Sequence, residues 1–241
     1  MKFAIIGGNT ENIGRPYRER EVETPYGPIT LAEVSLAGGK ECLIITRHSM
    51  LQERDARDVN YRGNIFGLSL CGVTHVIGVS CVGACDYAHK LGSFCLLTDF
   101  LDFTHCRENS FAYEHRLVPH AGMEEVFCAA LNDVLEREIL ENNLPYAGRV
   151  IYAGTDGPRF ETASEVRMFR MLGAQVIGMD ILPEAPLAAE RALKYASIGI
   201  ISNYATGMAF TVTDKGIEKV NDEKKGAALD LILNMIERMK V

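Results

Sequence analysis

Three stretches of this 241-residue chain put anion-gripping residue types at the ends of apolar, strand-like runs. Lys2–Ile6 (KFAII) runs into Gly7-Gly8-Asn9-Thr10. A Gly pair after a strand can leave backbone N–H groups free to hold an anion, although the same pair also serves as an ordinary turn. Glu41–Thr46 ends in Arg47-His48. A guanidinium beside an imidazole can grip an oxyanion bidentately; a solvated Arg and a packed His would read the same. His75–Ser80 (HVIGVS) enters a run of small residues, Cys81-Val82-Gly83-Ala84, that reads as a third loop. Ligands of open α/β sheets gather outside the carboxyl ends of strands, so three such ends together say more than any one.

The elements that must position these residues centre on Gly154–Glu184. Thr162 and Glu165 have the T-x-x-E spacing of a capping box. Ala163, Val166, Phe169 and Leu172 follow on one helical face, and Gly173 falls where a left-handed C-cap belongs. Gln175–Met179 is short, apolar and β-branched, a buried strand. Pro183 suits the first turn of another helix, Pro183–Lys194. Two loops flank this unit, one with Asp156, Arg159 and Glu161, the other with Asp180 and Glu184. Charged loop residues are commonly no more than solvated.

Elsewhere, strands are expected over Ile29–Ser35, with a turn at Gly38-Gly39, and over Ser93–Thr98, Arg149–Ala153 and Ala196–Ser202, the last delivering Asn203-Tyr204-Ala205. Asn60–Leu70, Glu124–Glu141 and Ile217–Met239 read as helices. Asp99–His120 is polar and irregular, with Asp102, His105, Arg107, His115 and His120, and a long ordered loop is usually a lid or a subunit contact. With no repeat or linker, residues 1–241 read as a single α/β domain with a mixed central sheet flanked by helices.

Composition narrows the partners. A chain 47% hydrophobic and 24% charged can build a real core. A net charge of −7 with no basic block argues against nucleic acid or an anionic membrane as the main partner. No signal peptide or bilayer-spanning apolar run is visible, so a cytoplasmic location is expected. The seven cysteines form no C-x-x-C pair and read as reduced core residues. Cys81 and Cys85 lack a matching His cluster, so no metal site is expected.

At GPRFET (157–162), GMDILPE (178–184) and SNYATG (202–207) the sequence resembles the trimeric purine nucleoside phosphorylase and methylthioadenosine (methylthioinosine) phosphorylase family. The likeness extends to IIGG (5–8), Arg47-His48, VNYRGNI (59–65) and THVIGVS (74–80), in order along nearly the whole chain. It implies a twisted mixed sheet with a distorted barrel and a homotrimer or dimer of trimers. The implied activity is a pentosyltransferase of purine salvage that cleaves a purine–ribose bond with phosphate as co-substrate and no other cofactor. Such cleavage builds positive charge on the ribose and negative charge on the leaving purine, so a donor is needed at the base and an anion or water under the sugar. By resemblance the base site is Phe160, Glu161, Asn203, Tyr204 and Ala205. Glu161 can accept from a purine N1–H, and the Asn203 amide can serve the O6/N7 edge. The 6-aminopurine members carry aspartates where this chain has Asn203 and Ala205, so inosine, guanosine or 5′-methylthioinosine is expected; methylthioadenosine is the alternative substrate. Met179 matches the residue under the ribose. His120 matches one that reaches a neighbouring subunit's 5′ pocket, and the segment around Phe210–Val212, with Val212, adjoins the 5′ group.

The expected phosphate ligands are Gly8, Asn9, Thr10, Arg47, His48, Ser80 and the Cys81 amide. Here the pattern breaks. Asn9 and Asp180 stand where the family has hydroxyls, and Gln52 and Ala56 replace the usual His and Pro. A carboxylate about 4 Å from a phosphate charge costs about 4 kcal/mol at an effective dielectric near 20. Phosphate affinity is therefore expected to be weak or conditional. An Asp180 that activates water, giving a nucleosidase, stays open beside a phosphorylase in which Asn203, Glu161 and Asp180 carry the chemistry.

Overall fold

The computed structural model describes residues 1–7, 13–48, 55–111, 120–208 and 214–239, with backbone alone over 214–222. Its strands are β1 (Phe3–Ile6), β2 (Tyr17–Val22), β3 (Ile29–Leu36), β4 (Lys40–Ile45), β5 (His75–Ala84), β6 (Phe94–Asp102), β7 (Tyr146–Gly154), β8 (Val176–Gly178) and β9 (Lys194–Tyr204). The helices are α1 (Tyr61–Leu70), α2 (Ala129–Glu141), α3 (Ala163–Met171), α4 (Glu184–Glu190) and α5 (Asp214–Arg238). The sheet runs β2-β3-β4-β1-β5-β8-β7-β6-β9, and β9 also pairs with β5. That last pairing closes β5, β8, β7, β6 and β9 into a barrel on which the other four strands sit as an open extension. Parallel pairs (β1–β4, β1–β5, β5–β9, β6–β7, β7–β8) and antiparallel pairs (β2–β3, β3–β4, β5–β8, β6–β9) are mixed, as expected for this α/β class.

Alternation along the central strands divides the core between the sheet faces. Ala4 and Ile6 join Ile65 and Leu68 of α1 and Leu187 and Ala188 of α4. Phe3 and Ile5 join Leu131 and Leu135 of α2 and Ile232 and Met235 of α5. Each fully buried Ile or Leu contributes about 1.5–3 kcal/mol, so both helical layers are held by the sheet rather than by helix propensity.

The helix–strand unit at the centre follows its sequence signals. Thr162 accepts from the Glu165 amide and the Glu165 side chain accepts from the Thr162 amide. Gly173 follows at φ 101°, in the left-handed region that glycine favours. Four expectations needed correction, the first being the helix expected over Pro183–Lys194, since α4 ends at Glu190 and Lys194 already opens β9. Cys81–Ala84 is no loop but the second half of β5, where small side chains fit the barrel. Strand β6 carries on through Asp102, so the irregular segment starts four residues later than expected. Helix α2 starts at Ala129 rather than Glu124, because the Glu125 carboxylate accepts from the Ala129 amide and holds the chain outside the helix until there.

Candidate active site

The carboxyl ends of β5, β8 and β9 and the loop before α3 enclose a cavity of about 280 Å³. Glu161 and Asn203, 42 residues apart in sequence, both line it, together with Phe160, Met179, Asp180 and Ala205. His48 and Cys81 complete the opposite end. Backbone geometry makes the room. Gly157 sits at φ 70°, and a Cβ there would lie 2.5 Å from Met179 Sδ, so only glycine lets the loop close over that thioether.

At one end, Glu161 is 8% exposed and its Oε1 accepts from Thr155 Oγ1 at 2.7 Å. Thr155 is itself fixed by its amide on Gly178 O at 3.0 Å, which ties the Glu161 loop to β8. Asn203 accepts from Ser202 Oγ at 2.8 Å and donates through Nδ2 to Tyr204 O at 3.2 Å. Carboxylate and amide are thus each held by a neighbouring hydroxyl before anything binds, the pre-organisation a hydrogen-bonding site requires. Thr155 and Ser202 were not singled out by the sequence; a lone hydroxyl before a charged loop carries no distinguishing signal.

At the other end, Asp180 is the hub. Its Oδ1 lies 2.9 Å from His48 Nε2, and its Oδ2 accepts from Ser80 Oγ at 2.9 Å and lies 3.7 Å from Arg47 Nη1. Burial raises the pKa of Asp180, but the His48 bond, the Arg47 and His48 charges and the Ser80 bond together pull it well below the usual carboxylate range. The unfolded chain therefore binds a proton here that the folded chain refuses. Stability from this group is complete above about pH 4 and is lost as pH falls toward the folded value. Asp180→Asn is expected to flatten the acid limb of the stability curve below about pH 4, read by thermal melts across acidic buffers.

Arg47 does not face the cavity as the oxyanion reading expected. It is 3% exposed and clamped on the fully buried Glu184, Nε to Oε1 at 2.6 Å and Nη2 to Oε2 at 3.0 Å. Nη1 donates to Val79 O at 3.0 Å and Nη2 to Ile6 O at 3.4 Å. Burial disfavours the Arg47 charge, but Glu184 and Asp180 more than offset it and hold its pKa above the ordinary value. Tyr195 donates to Glu184 Oε2 at 2.7 Å and completes the buried group. Gly7, at φ 99°, leaves space for the fork, since a Cβ there would meet Arg47 Nη1 at 2.5 Å.

Arg107 locks the two loops together. Its guanidinium donates to Leu182 O, to Thr155 O at 3.3 Å and to Asp156 O at 2.9 Å, with Tyr61 beneath at 5.2 Å. The first loop leads to Glu161 and Leu182 follows Asp180, so one buried side chain joins both ends of the cavity. Ser80 reaches the cluster only through Asp180, and Tyr204 packs edge-on to Tyr87 outside the cavity. His120 is exposed, away from the cavity. Gly8, Asn9, Thr10, Gln52, His115 and the Phe210–Val212 segment, including Val212, lie outside the described residues.

A model of the phosphorylase superfamily matches residues 2–237. The chain belongs to that superfamily. The 6-oxopurine nucleoside phosphorylase of Pyrococcus furiosus is 35% identical over 248 residues, covering 98% of this chain and 92% of the relative. A probable S-methyl-5′-thioinosine phosphorylase of Methanothermobacter thermautotrophicus is 36% identical, covering 99% and 84%. Among solved structures, methylthioadenosine phosphorylase from Schistosoma mansoni with adenine superposes with a TM-score of 0.90 at 25% identity, covering 98% of this chain and 91% of that one. The phosphorylase described here is therefore an enzyme, a pentosyltransferase acting on purine or methylthiopurine nucleosides with phosphate as co-substrate. Among the described residues no group of three or more His, Cys, Asp and Glu side chains could hold a metal ion, and no helix is long and apolar enough to cross a membrane.

Proposed function

We propose that this phosphorylase acts on 6-oxopurine nucleosides (inosine, guanosine or 5′-methylthioinosine), giving the free base and ribose 1-phosphate or its methylthio counterpart. The observation that carries this reading is Glu161 and Asn203 lining one cavity, with the small Ala205 beside them. A 6-oxopurine presents N1–H to a carboxylate and O6/N7 to an amide donor; adenine presents an unprotonated N1, for which Glu161 has nothing to offer. As the glycosidic bond lengthens, negative charge collects on N7 and O6, where the Asn203 amide donates more strongly than in the ground state. Phe160 covers the base, and Met179 packs under the ribose. The Asp180 cluster stands on the side from which phosphate attacks the anomeric carbon.

Support also comes from the names of the similar proteins, which include 6-oxopurine nucleoside and methylthioinosine phosphorylases. In a homotrimer, the expected assembly, the exposed His120 serves a neighbouring subunit's 5′ pocket, and Val212 adjoins the 5′ substituent. A cytoplasmic place in purine salvage suits the cysteines, none of which forms a disulfide among the described residues.

A panel of inosine, guanosine, 5′-methylthioinosine, adenosine and 5′-methylthioadenosine, each with and without phosphate, tests the reading. The 6-oxo compounds should lead in kcat/KM by about a hundredfold or more, since a polar pocket rejects partners that leave it unpaired. Parity between inosine and adenosine would refute the base assignment.

A further inference from the structure

Among the described residues, each side-chain donor expected to hold an oxyanion at the far end of the cavity already has an internal partner. His48 Nε2 and Ser80 Oγ both lie 2.9 Å from the Asp180 carboxylate. Arg47 spends Nε and Nη2 on Glu184, at 2.6 and 3.0 Å, and the remainder of its fork on Val79 O and Ile6 O, with Nη1 3.7 Å from Asp180. The charge count agrees. One guanidinium faces two carboxylates, and even a protonated His48 brings the cluster only to neutrality. A phosphate placed here with Asp180 unmoved would find no unengaged side-chain donor among the described residues and a like charge in contact.

We propose that Asp180 is the resident anion of the phosphate site: its carboxylate sits on the donors phosphate requires, and phosphate enters only in exchange for it. This rests on the phosphorylase reading of the cluster and makes Asp180 the residue that sets affinity for the co-substrate. The exchange has somewhere to go. Asp180 lines the cavity wall and keeps 17% of its side chain accessible, whereas Glu184 is fully buried and cannot give up Arg47. Turned into the cavity, the carboxylate meets the region next to Met179, where ribose hydroxyls can donate to it. Once it has left, His48 Nε2 and Ser80 Oγ are released to the phosphate oxygens, with the buried Arg47 charge behind them. Nucleoside and phosphate then bind cooperatively, because the sugar stabilises the displaced carboxylate that phosphate needs out of the way.

Inorganic phosphate binding, measured by calorimetry on the intact protein without nucleoside, tests the exchange and needs no turnover. A failure of the 6-oxopurine assignment would leave this readout unaffected. Asp180→Thr, which removes the anion and supplies a hydroxyl, should tighten phosphate binding by at least about tenfold. Asp180→Asn keeps the size and an acceptor for Ser80 and should tighten it in the same direction, which covers the case of a misfolded threonine variant. Phosphate affinity in either folded variant equal to or weaker than wild type would overturn the proposal. So would a crystal structure of the wild type with phosphate held by His48 and Ser80 while both still bond Asp180.

Discussion

Glu161→Gln is expected to lower kcat/KM for inosine by about 10- to 200-fold, the loss of a charge-assisted hydrogen bond worth about 1.5–3 kcal/mol. The Thr155 hydroxyl can bond the glutamine carbonyl as it bonds Glu161 Oε1, so the loop should hold its position and the effect should stay in the recognition of N1–H. Adenosine, with no N1 proton, should be nearly indifferent to the change. Asn203→Asp supplies the complementary test. A carboxylate against O6 repels the very charge that develops there, so inosine cleavage should fall by about a hundredfold while adenosine loses far less. Steady-state kinetics on the two substrates with both variants read out the result. Equal losses for inosine and adenosine in Glu161→Gln would mean that this carboxylate does not read the base.

The largest expected effect on stability belongs to Glu184→Ala. Removing one partner of a buried ion pair leaves the other charge uncompensated, typically at about 3–5 kcal/mol. Glu184 is completely buried and answers both the Arg47 fork and the Tyr195 hydroxyl, so three donors on two side chains would be orphaned together. Glu184→Gln retains an acceptor and should cost less. Replacing Arg47 and Glu184 together by Met and Leu should recover much of the loss, because two apolar side chains of similar volume need no partner. Urea denaturation of the single and double variants closes the cycle. A Glu184→Ala loss below about 1 kcal/mol would show that Arg47 finds another anion, with Asp180 the nearest.

Local rules carried the reading where they were self-contained. Thr162 and Glu165 define their own capping box, and Gly173 its own helix end, so the unit around the first loop could be placed from sequence. Strand β2 could not. Tyr17–Val22 (YREREV) has no buried face and pairs only with β3, its charges linked to Glu33 by Arg18 and Arg20; an exposed, charged edge strand lacks the alternation by which strands are recognised. Cys81–Ala84 failed for the opposite reason. Small residues usually punctuate, but here they continue a strand whose neighbours β8 and β9 come from far along the chain. The site shows the same division. Residue types gave Arg47-His48 as an anion grip, and the resemblance placed Glu161 and Asn203 in one pocket. That Arg47 is turned inward depends on Glu184, 137 residues away, and no spacing rule reports such a pairing.

β5 is indexed on three sides at once. Its first half is in register with β1 through Gly78, it follows β9 along its length with one register shift between Val82 and Gly83, and Gly83 and Ala84 pair with β8. A slip of one residue would have to be made simultaneously against all three neighbours. Ser80 at the phosphate end and Gly83 beside Asn203 lie on this one indexed strand, like two marks on a ruler, while β9 takes up one extra residue, Ser202, opposite them. Substitution in this scaffold can change what stands at each mark, but the strand that carries both stays indexed by its neighbours.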